Sequence, residues 1–128
     1  MLDLKLRLLV VDDDVLILRA YERVFRGEFV VELVTDAASA LERIAIGVHY
    51  DAILCDRNLG AGLSGEAFFR AVAQAVKDRM VMWSGVLPTA DDVFAHALGA
   101  RYLHKAGSIS SLIAVVRGVA APATLAFQ

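Results

Sequence analysis

Asp12, Asp13 and Asp14 follow the apolar run Leu6–Val11, and a lone Asp56 closes a second run, Ala52–Cys55. Charge at the tip of a buried strand is costly unless something pairs with it, so these carboxylates point to a site rather than to scaffold. Two further strand-like runs end in polar groups: Met80–Trp83 leads to Ser84, and Arg101–His104 leads to Lys105. Carboxylates, a hydroxyl and an ammonium at four strand ends could together hold a metal ion and a phosphoryl group. Asp12, Asp13 and Asp56 would repel one another and raise each other's pKa values unless a cation intervened. Hard oxygen ligands with open positions suit Mg2+. His49, His96 and His104 fall on different elements without ligand spacing, which argues against zinc. Asp56 is the candidate nucleophile, because a carboxylate attacking phosphorus gives an acyl phosphate. Such a transfer needs mainly positioning and charge neutralisation, which the cation, Lys105 and the Ser84 hydroxyl would supply.

The rest of the chain supplies the elements that would position these groups. Leu6–Val11 reads as a buried strand, and Asp14 or a neighbour caps a helix with Val15, Leu18, Tyr21, Val24 and Phe25 at helical spacing, stopped by Gly27. Phe29–Val34 is a short β-branched strand. Thr35 or Asp36 caps a helix from about Ala37 to Ile46, with Leu41, Ile44 and Ala45 on one face and Gly47 at its end. Tyr50–Cys55 is a third strand, followed by the glycine-bearing loop Asn58–Gly62. Ser64 caps a helix to about Lys77, with Ala67, Phe68, Ala71, Val72 and Ala75 inward. After the Met80–Trp83 strand, Pro88 and Thr89 open a helix to about Leu98 that Gly99 closes. A last strand, Arg101–His104, precedes a helix from Ser108 to about Val119, with Pro122 beyond it. Five strands alternating with five helices predict a single α/β domain, a doubly wound parallel sheet covered on both faces. Right-handed crossovers place every strand's carboxyl end on one edge, where ligands bind in such folds.

Bulk properties narrow the classes. The 128 residues suit one domain, and 58% apolar residues argue for a packed core rather than disorder. A net charge of −2 offers no electrostatic footprint for nucleic acid or an anionic membrane. The longest apolar stretches are about half of the ~20 residues needed to span a bilayer. The N-terminal residues lack the apolar core of a secretory signal, and the single Cys55 precludes an internal disulfide. The expectation is a soluble cytoplasmic domain over residues 1–121, with a tail at 122–128.

Val10-Val11-Asp12-Asp13-Asp14, Leu54-Cys55-Asp56-Arg57-Asn58-Leu59, Trp83-Ser84-Gly85 and Gly99 through Lys105 resemble, in order and spacing, the signature blocks of the response-regulator receiver domain. The resemblance runs from Leu6 to about Val119. It implies a flavodoxin-like sheet of order 2-1-3-4-5, and an Asp56 that accepts a phosphoryl group from a phosphohistidine donor, either a histidine kinase or a histidine phosphotransfer protein. Asp13, Asp56 and the backbone carbonyl of Asn58 would bind Mg2+, with Asp12 nearby. Lys105 would pair with Asp56 or the phosphoryl oxygens. Ser84 matches the switch hydroxyl, and Tyr102 the aromatic that turns inward with it. Output would pass to a downstream protein partner or a second copy through the surface of residues 88–98 and 102–119, without direct nucleic-acid or membrane contact. The chain would not be an enzyme beyond self-catalysed phosphoryl acceptance and slow autodephosphorylation.

Several positions depart from the family pattern. Ala106 stands where proline is usual, and a cis bond before alanine costs roughly 3 kcal/mol, so a trans or rearranged turn is expected. Gly60 also replaces a proline, the loop's glycine comes one residue late at Gly65, and Gly62 adds a flexible point, which together predict a looser metal loop. Val86 offers no polar group to a hydrolytic water, leaving Asn58 as the candidate. Trp83 and Cys55 read as core. Arg57 would offer its backbone N–H to the phosphoryl group and a solvated side chain. Two rival readings stand beside this one. One is a receiver-like binding module that takes no phosphate. The other is a haloacid-dehalogenase-like phosphatase using Asp12, with Asp14 completing its Asp-x-Asp pattern.

Overall fold

Alternation along β1 (Leu6–Val11) decides which helix packs on which side of the sheet. Successive strand residues point to opposite faces, so Leu8 and Val10 join one buried cluster while Leu9 and Val11 join the other. The first cluster takes Leu18, Tyr21 and Phe25 from α1 (Val15–Phe25) and Leu112, Val116 and Ala120 from α6 (Ile109–Ala120). The second takes Ala37 and Ala40 from α2 (Ala37–Ala45), Phe68 from α3 (Gly65–Ala71), and Phe94 and Leu98 from α5 (Val93–Leu98). The computed structural model describes residues 5–121, and the tail expected at 122–128, with Pro122, lies outside them.

The remaining strands are β2 (Phe29–Val34), β3 (Ala52–Asp56), β4 (Met80–Ser84) and β5 (Tyr102–His104). All pair in parallel, as the alternation predicts, and in the order β2-β1-β3-β4-β5, as the resemblance implies. β3 and β4 are buried along their whole length, as central strands covered on both faces must be. Cys55 and Trp83 are core residues, 0% and 4% exposed. Asp14 and Asp36 are the caps of α1 and α2, their carboxylates accepting from Leu16 and Ser39 backbone N–H groups. At the edge, Glu32 of β2 gathers Arg7, Arg43 and the Tyr50 hydroxyl, tying two strands, α2 and the approach to β3 together. No helix among the described residues is long and apolar enough to cross a membrane.

Two helices differ from the sequence reading, which expected five. Six α-helices and a 3-10 turn, Gly99–Arg101, are present among the described residues. The helix expected over Ser64–Lys77 breaks after Ala71: Val72 and Ala73 are extended, with ψ of 161° and 156°, before the short α4 (Gln74–Lys77). The break turns Val72 into the core at 8% exposure, whereas Ala71 and Ala75, expected inward, face solvent. The helix expected from Pro88–Thr89 starts only at Val93, because Asp92 accepts from the Ala95 N–H and so fixes the cap four residues later.

Candidate functional site

The parallel sheet brings the polar strand tips to one edge. Asp12 follows the last residue of β1, Asp56 ends β3, Ser84 ends β4, and Lys105 follows β5. Asp12, Asp13 and Asp56 each present a carboxylate oxygen within 4.8 Å of the others. Lys105 Nζ lies 2.8 Å from Asp56 Oδ2 and 3.7 Å from Asp12 Oδ2. Its main chain is fixed as well, the Lys105 N–H donating to the Ser84 carbonyl at 2.7 Å. Asp12 and Asp56 are buried at 1% and 5% exposure, while Asp13 is exposed. Each buried aspartate accepts from the backbone N–H two residues on: Asp14 to Asp12 and Asn58 to Asp56, both at 2.9 Å. These local turns aim the free oxygens at the common point.

Burial pushes the Asp12 carboxyl up to about 6, the Asp14 N–H and Lys105 opposing and the charges of Asp56 and Asp13 adding to the rise. For Lys105, burial alone would favour the neutral amine, but the bond to Asp56 and the charges of Asp12 and Asp56 outweigh it and raise its pKa. Three close carboxylates against one ammonium leave uncompensated negative charge. A small hard cation fits that donor set of oxygens only, all within 4.8 Å of one another.

Ser84 is fully buried, its Oγ accepting from the Val86 N–H at 3.1 Å. It lines a cleft of about 350 Å³ with Arg57, Asn58, Thr89 and Asp92, beside the acidic cluster. Tyr102 is half-buried, and its hydroxyl accepts from Arg57 at 2.9 Å. The Lys105–Ala106 bond is trans, since no cis peptide occurs among the described residues, and the turn closes through Gly107 N–H to the His104 carbonyl at 2.9 Å.

Arg57 requires a correction on both counts. Its N–H is not free for a ligand but donates to the Trp83 carbonyl at 2.9 Å, extending the β3–β4 ladder. Its side chain is not merely solvated: it pairs with Asp92, Glu66 and Tyr102 and stacks against Phe94.

Gly60 explains part of the departure from the usual proline. Its φ of +64° is closed to proline, whose ring holds φ near −65°. A Cβ there would lie 2.7 Å from Asp13 Oδ2. Gly60→Ala therefore combines left-handed strain of about 1–2 kcal/mol with a displaced Asp13 carboxylate. The expected result is a several-fold loss of Mg2+ affinity with a smaller loss of thermal stability, checked by calorimetric titration beside a melt.

The order 2-1-3-4-5, the acidic cluster with its lysine, and the hydroxyl ending β4 together are the arrangement of response-regulator receiver domains, which the chain resembles in fold and in sequence. Its sequence is 34% identical over 116 residues to the transcriptional regulatory protein CutR of Streptomyces coelicolor, covering 89% of this chain and 53% of that protein. CutR of Streptomyces lividans matches equally. The chain thus spans about half the length of the curated relatives it matches. No family model matches it. Among solved structures, the receiver domain of Francisella response regulator 1452 aligns with a TM-score of 0.78 at 24% identity, covering 91% of this chain and 97% of that one. A CheY-like receiver domain protein from Methanospirillum hungatei JF-1 aligns at 0.77 and 22%, covering 91% and 94%. The chemotaxis protein CheY4 of Vibrio cholerae aligns at 0.75 and 23%, covering 91% and 99%. At these identities the three likenesses establish the fold.

Proposed function

We propose that this receiver domain takes a phosphoryl group on Asp56 from a phosphohistidine donor, with Mg2+, and thereby switches a protein-binding surface. The observation that carries the reading is the Asp56 carboxylate, held 2.8 Å from Lys105 Nζ with the oxygens of Asp12 and Asp13 within 4.8 Å. Asp12, Asp13, Asp56 and the Asn58 carbonyl would hold the cation, which when bound neutralises charge on the transferred group. A bond forms between an Asp56 oxygen and phosphorus as the phosphorus–nitrogen bond breaks, and the imidazole leaves with the electron pair. Asn58 N–H and Lys105 hold the two Asp56 oxygens and so fix the carboxylate plane for in-line attack. Once the group is in place, Lys105 and the Ser84 hydroxyl supply donors to its oxygens.

That new charge biases a two-state equilibrium of the surface formed by residues 88–98 and 102–119. A downstream protein or a second copy of the chain is the recipient, in the cytoplasm, and the receiver unit is residues 1–121. Catalysis is confined to the domain's own phosphorylation and slow autodephosphorylation, with Asn58 as the candidate to steer the hydrolytic water. The phosphatase alternative assigned the nucleophile to Asp12, but Lys105 Nζ lies closer to Asp56 Oδ2, at 2.8 Å, than to Asp12 Oδ2, at 3.7 Å.

Mass spectrometry after incubation with acetyl phosphate and Mg2+ tests the reading. One phosphoryl group is expected on the wild type and none on Asp56→Ala, with Asp12→Ala reduced through lost metal. Uptake that survives Asp56→Ala would overturn the assignment. A folded wild type that takes up nothing would instead favour the binding module that needs no phosphate.

A further inference from the structure

The guanidinium of Arg57 sits one residue past Asp56 and holds three elements at once. Nη1 donates to Asp92 Oδ2 at 2.6 Å and to the Tyr102 hydroxyl at 2.9 Å. Nη2 donates to Asp92 Oδ1 and Glu66 Oε1, both at 3.2 Å. Its Cζ lies 5.0 Å from the Phe94 ring centroid and 5.5 Å from that of Tyr102. A bidentate, stacked arginine in a half-buried setting is a stronger tether than an exposed ion pair, because its geometry is fixed and its partners are partly desolvated. The Arg57 side chain is 23% exposed and that of Asp92 14%.

Asp92 is also the cap of α5. Between Ser84 and Asp92 runs a segment, residues 85–91, in which every side chain is exposed, Val86 and Leu87 at 64% and 67%. A segment with so few packing contacts can be displaced at small cost. Little packing therefore opposes a shift of Ser84 until Asp92, whose pairing with Arg57 is the next fixed point along the chain.

We propose that Arg57 is a latch that holds Tyr102 and the start of α5 in the unphosphorylated arrangement, and that its release is a step in switching. The trigger rests on the phosphoacceptor reading above; the latch does not. A phosphoryl group on Asp56 loosens it by drawing Ser84 and the 85–91 segment inward. Tyr102, losing its donor, becomes free to turn. Arg57 is thus a positioning residue: it makes no bond in the transfer itself.

Fluorine NMR of protein labelled with 3-fluorotyrosine, the Tyr102 signal identified by its loss in Tyr102→Phe, reads the latch without any phosphodonor. Arg57→Ala and Asp92→Asn are expected to move that signal in the same direction, since Asp92→Asn keeps the cap acceptor and removes the ion pair. Arg57→Lys is expected to move it too, because one ammonium cannot grip Asp92 and the tyrosine together. Phosphoryl uptake from acetyl phosphate and Mg2+ should rise about three- to tenfold in Arg57→Ala, as the uptake-competent arrangement becomes more populated. A Tyr102 signal unmoved by either substitution overturns the latch, as does uptake that is unchanged or slower in folded Arg57→Ala. Should Arg57→Ala not fold, Asp92→Asn decides by the same two readings. If the wild type takes up no phosphoryl group, the phosphoacceptor reading fails and the fluorine measurement alone settles the latch.

Discussion

Gly65→Ala is expected to lower stability by about 3 kcal/mol, at the upper end of what overpacking costs. The reason is proximity rather than backbone conformation, for Gly65 is not among the glycines with positive φ. A Cβ at this position would lie 2.3 Å from the Asp56 carbonyl oxygen and 2.7 Å from Arg57 Cα, both main-chain atoms that cannot rotate away. The first turn of α3 is drawn this close by the Gly65 N–H, which donates to the Arg57 carbonyl at 2.9 Å. Relief can come only by moving the strand end that carries Asp56, the proposed phosphoacceptor, so phosphoryl uptake should fall together with stability. Gly118 in α6 provides a control of opposite sign. Nothing lies within 4 Å of a Cβ there, and alanine in a helix interior is favoured over glycine by roughly 0.5–1 kcal/mol. Urea unfolding of the two variants should therefore bracket the wild type. A Gly65→Ala protein as stable as the wild type would mean that the backbone around Asp56 yields far more readily than its packing implies.

The reach of the sequence can be judged from the same residues. Strand ends were legible because a buried strand in a parallel sheet is a short run of unbroken apolar residues, and each run here stops at a charge or hydroxyl. Once the strands were parallel, the meeting of Asp12, Asp56, Ser84 and Lys105 at one edge followed from topology, without any knowledge of contacts. The break after Ala71 was not legible: Val72 through Lys77 carries helical spacing and contains neither glycine nor proline. What ends α3 is the burial of Val72, a tertiary effect that outweighs local propensity. Pro88 and Thr89 carried a start signal, but the chain there makes only a turn, Asp92 N–H to the Thr89 carbonyl at 3.1 Å, before the true cap. Arg57 was misjudged for a related reason. Its partners Glu66, Asp92 and Tyr102 lie 9, 35 and 45 residues away, so only the folded chain brings them within reach of one guanidinium.

Removing divalent cation at neutral pH is expected to destabilise the domain, and acidification to pH 5 should largely erase that effect. Asp12 is the reason. Its folded pKa of about 6 lies above the ordinary 3.8, because burial and neighbouring carboxylates disfavour the charge. The folded state therefore holds a proton that the unfolded state has already lost, and stability contributed by this group falls as pH rises from about 4 through 6. A rise from 3.8 to about 6 corresponds to roughly 3 kcal/mol as an upper bound in the absence of a cation. In the proposed cation site Mg2+ pairs with the same carboxylates, so at pH 7.5 millimolar Mg2+ should raise Tm by about 5 °C if present at tenfold its Kd. At pH 5, with Asp12 protonated, the shift should be small. Asp12→Asn separates the two contributions, since its amide oxygen can still accept from the Asp14 N–H while the buried charge is gone. That variant should melt higher than the cation-free wild type at pH 7.5 and respond weakly to Mg2+. Asp13→Asn, at an exposed position, should leave the cation-free melt nearly unchanged and still blunt the response. A Mg2+ shift of equal size at pH 5 and 7.5 would remove Asp12 from the proposed cation site, and with it the view that Asp56 sits in an unfavourable cluster of charge.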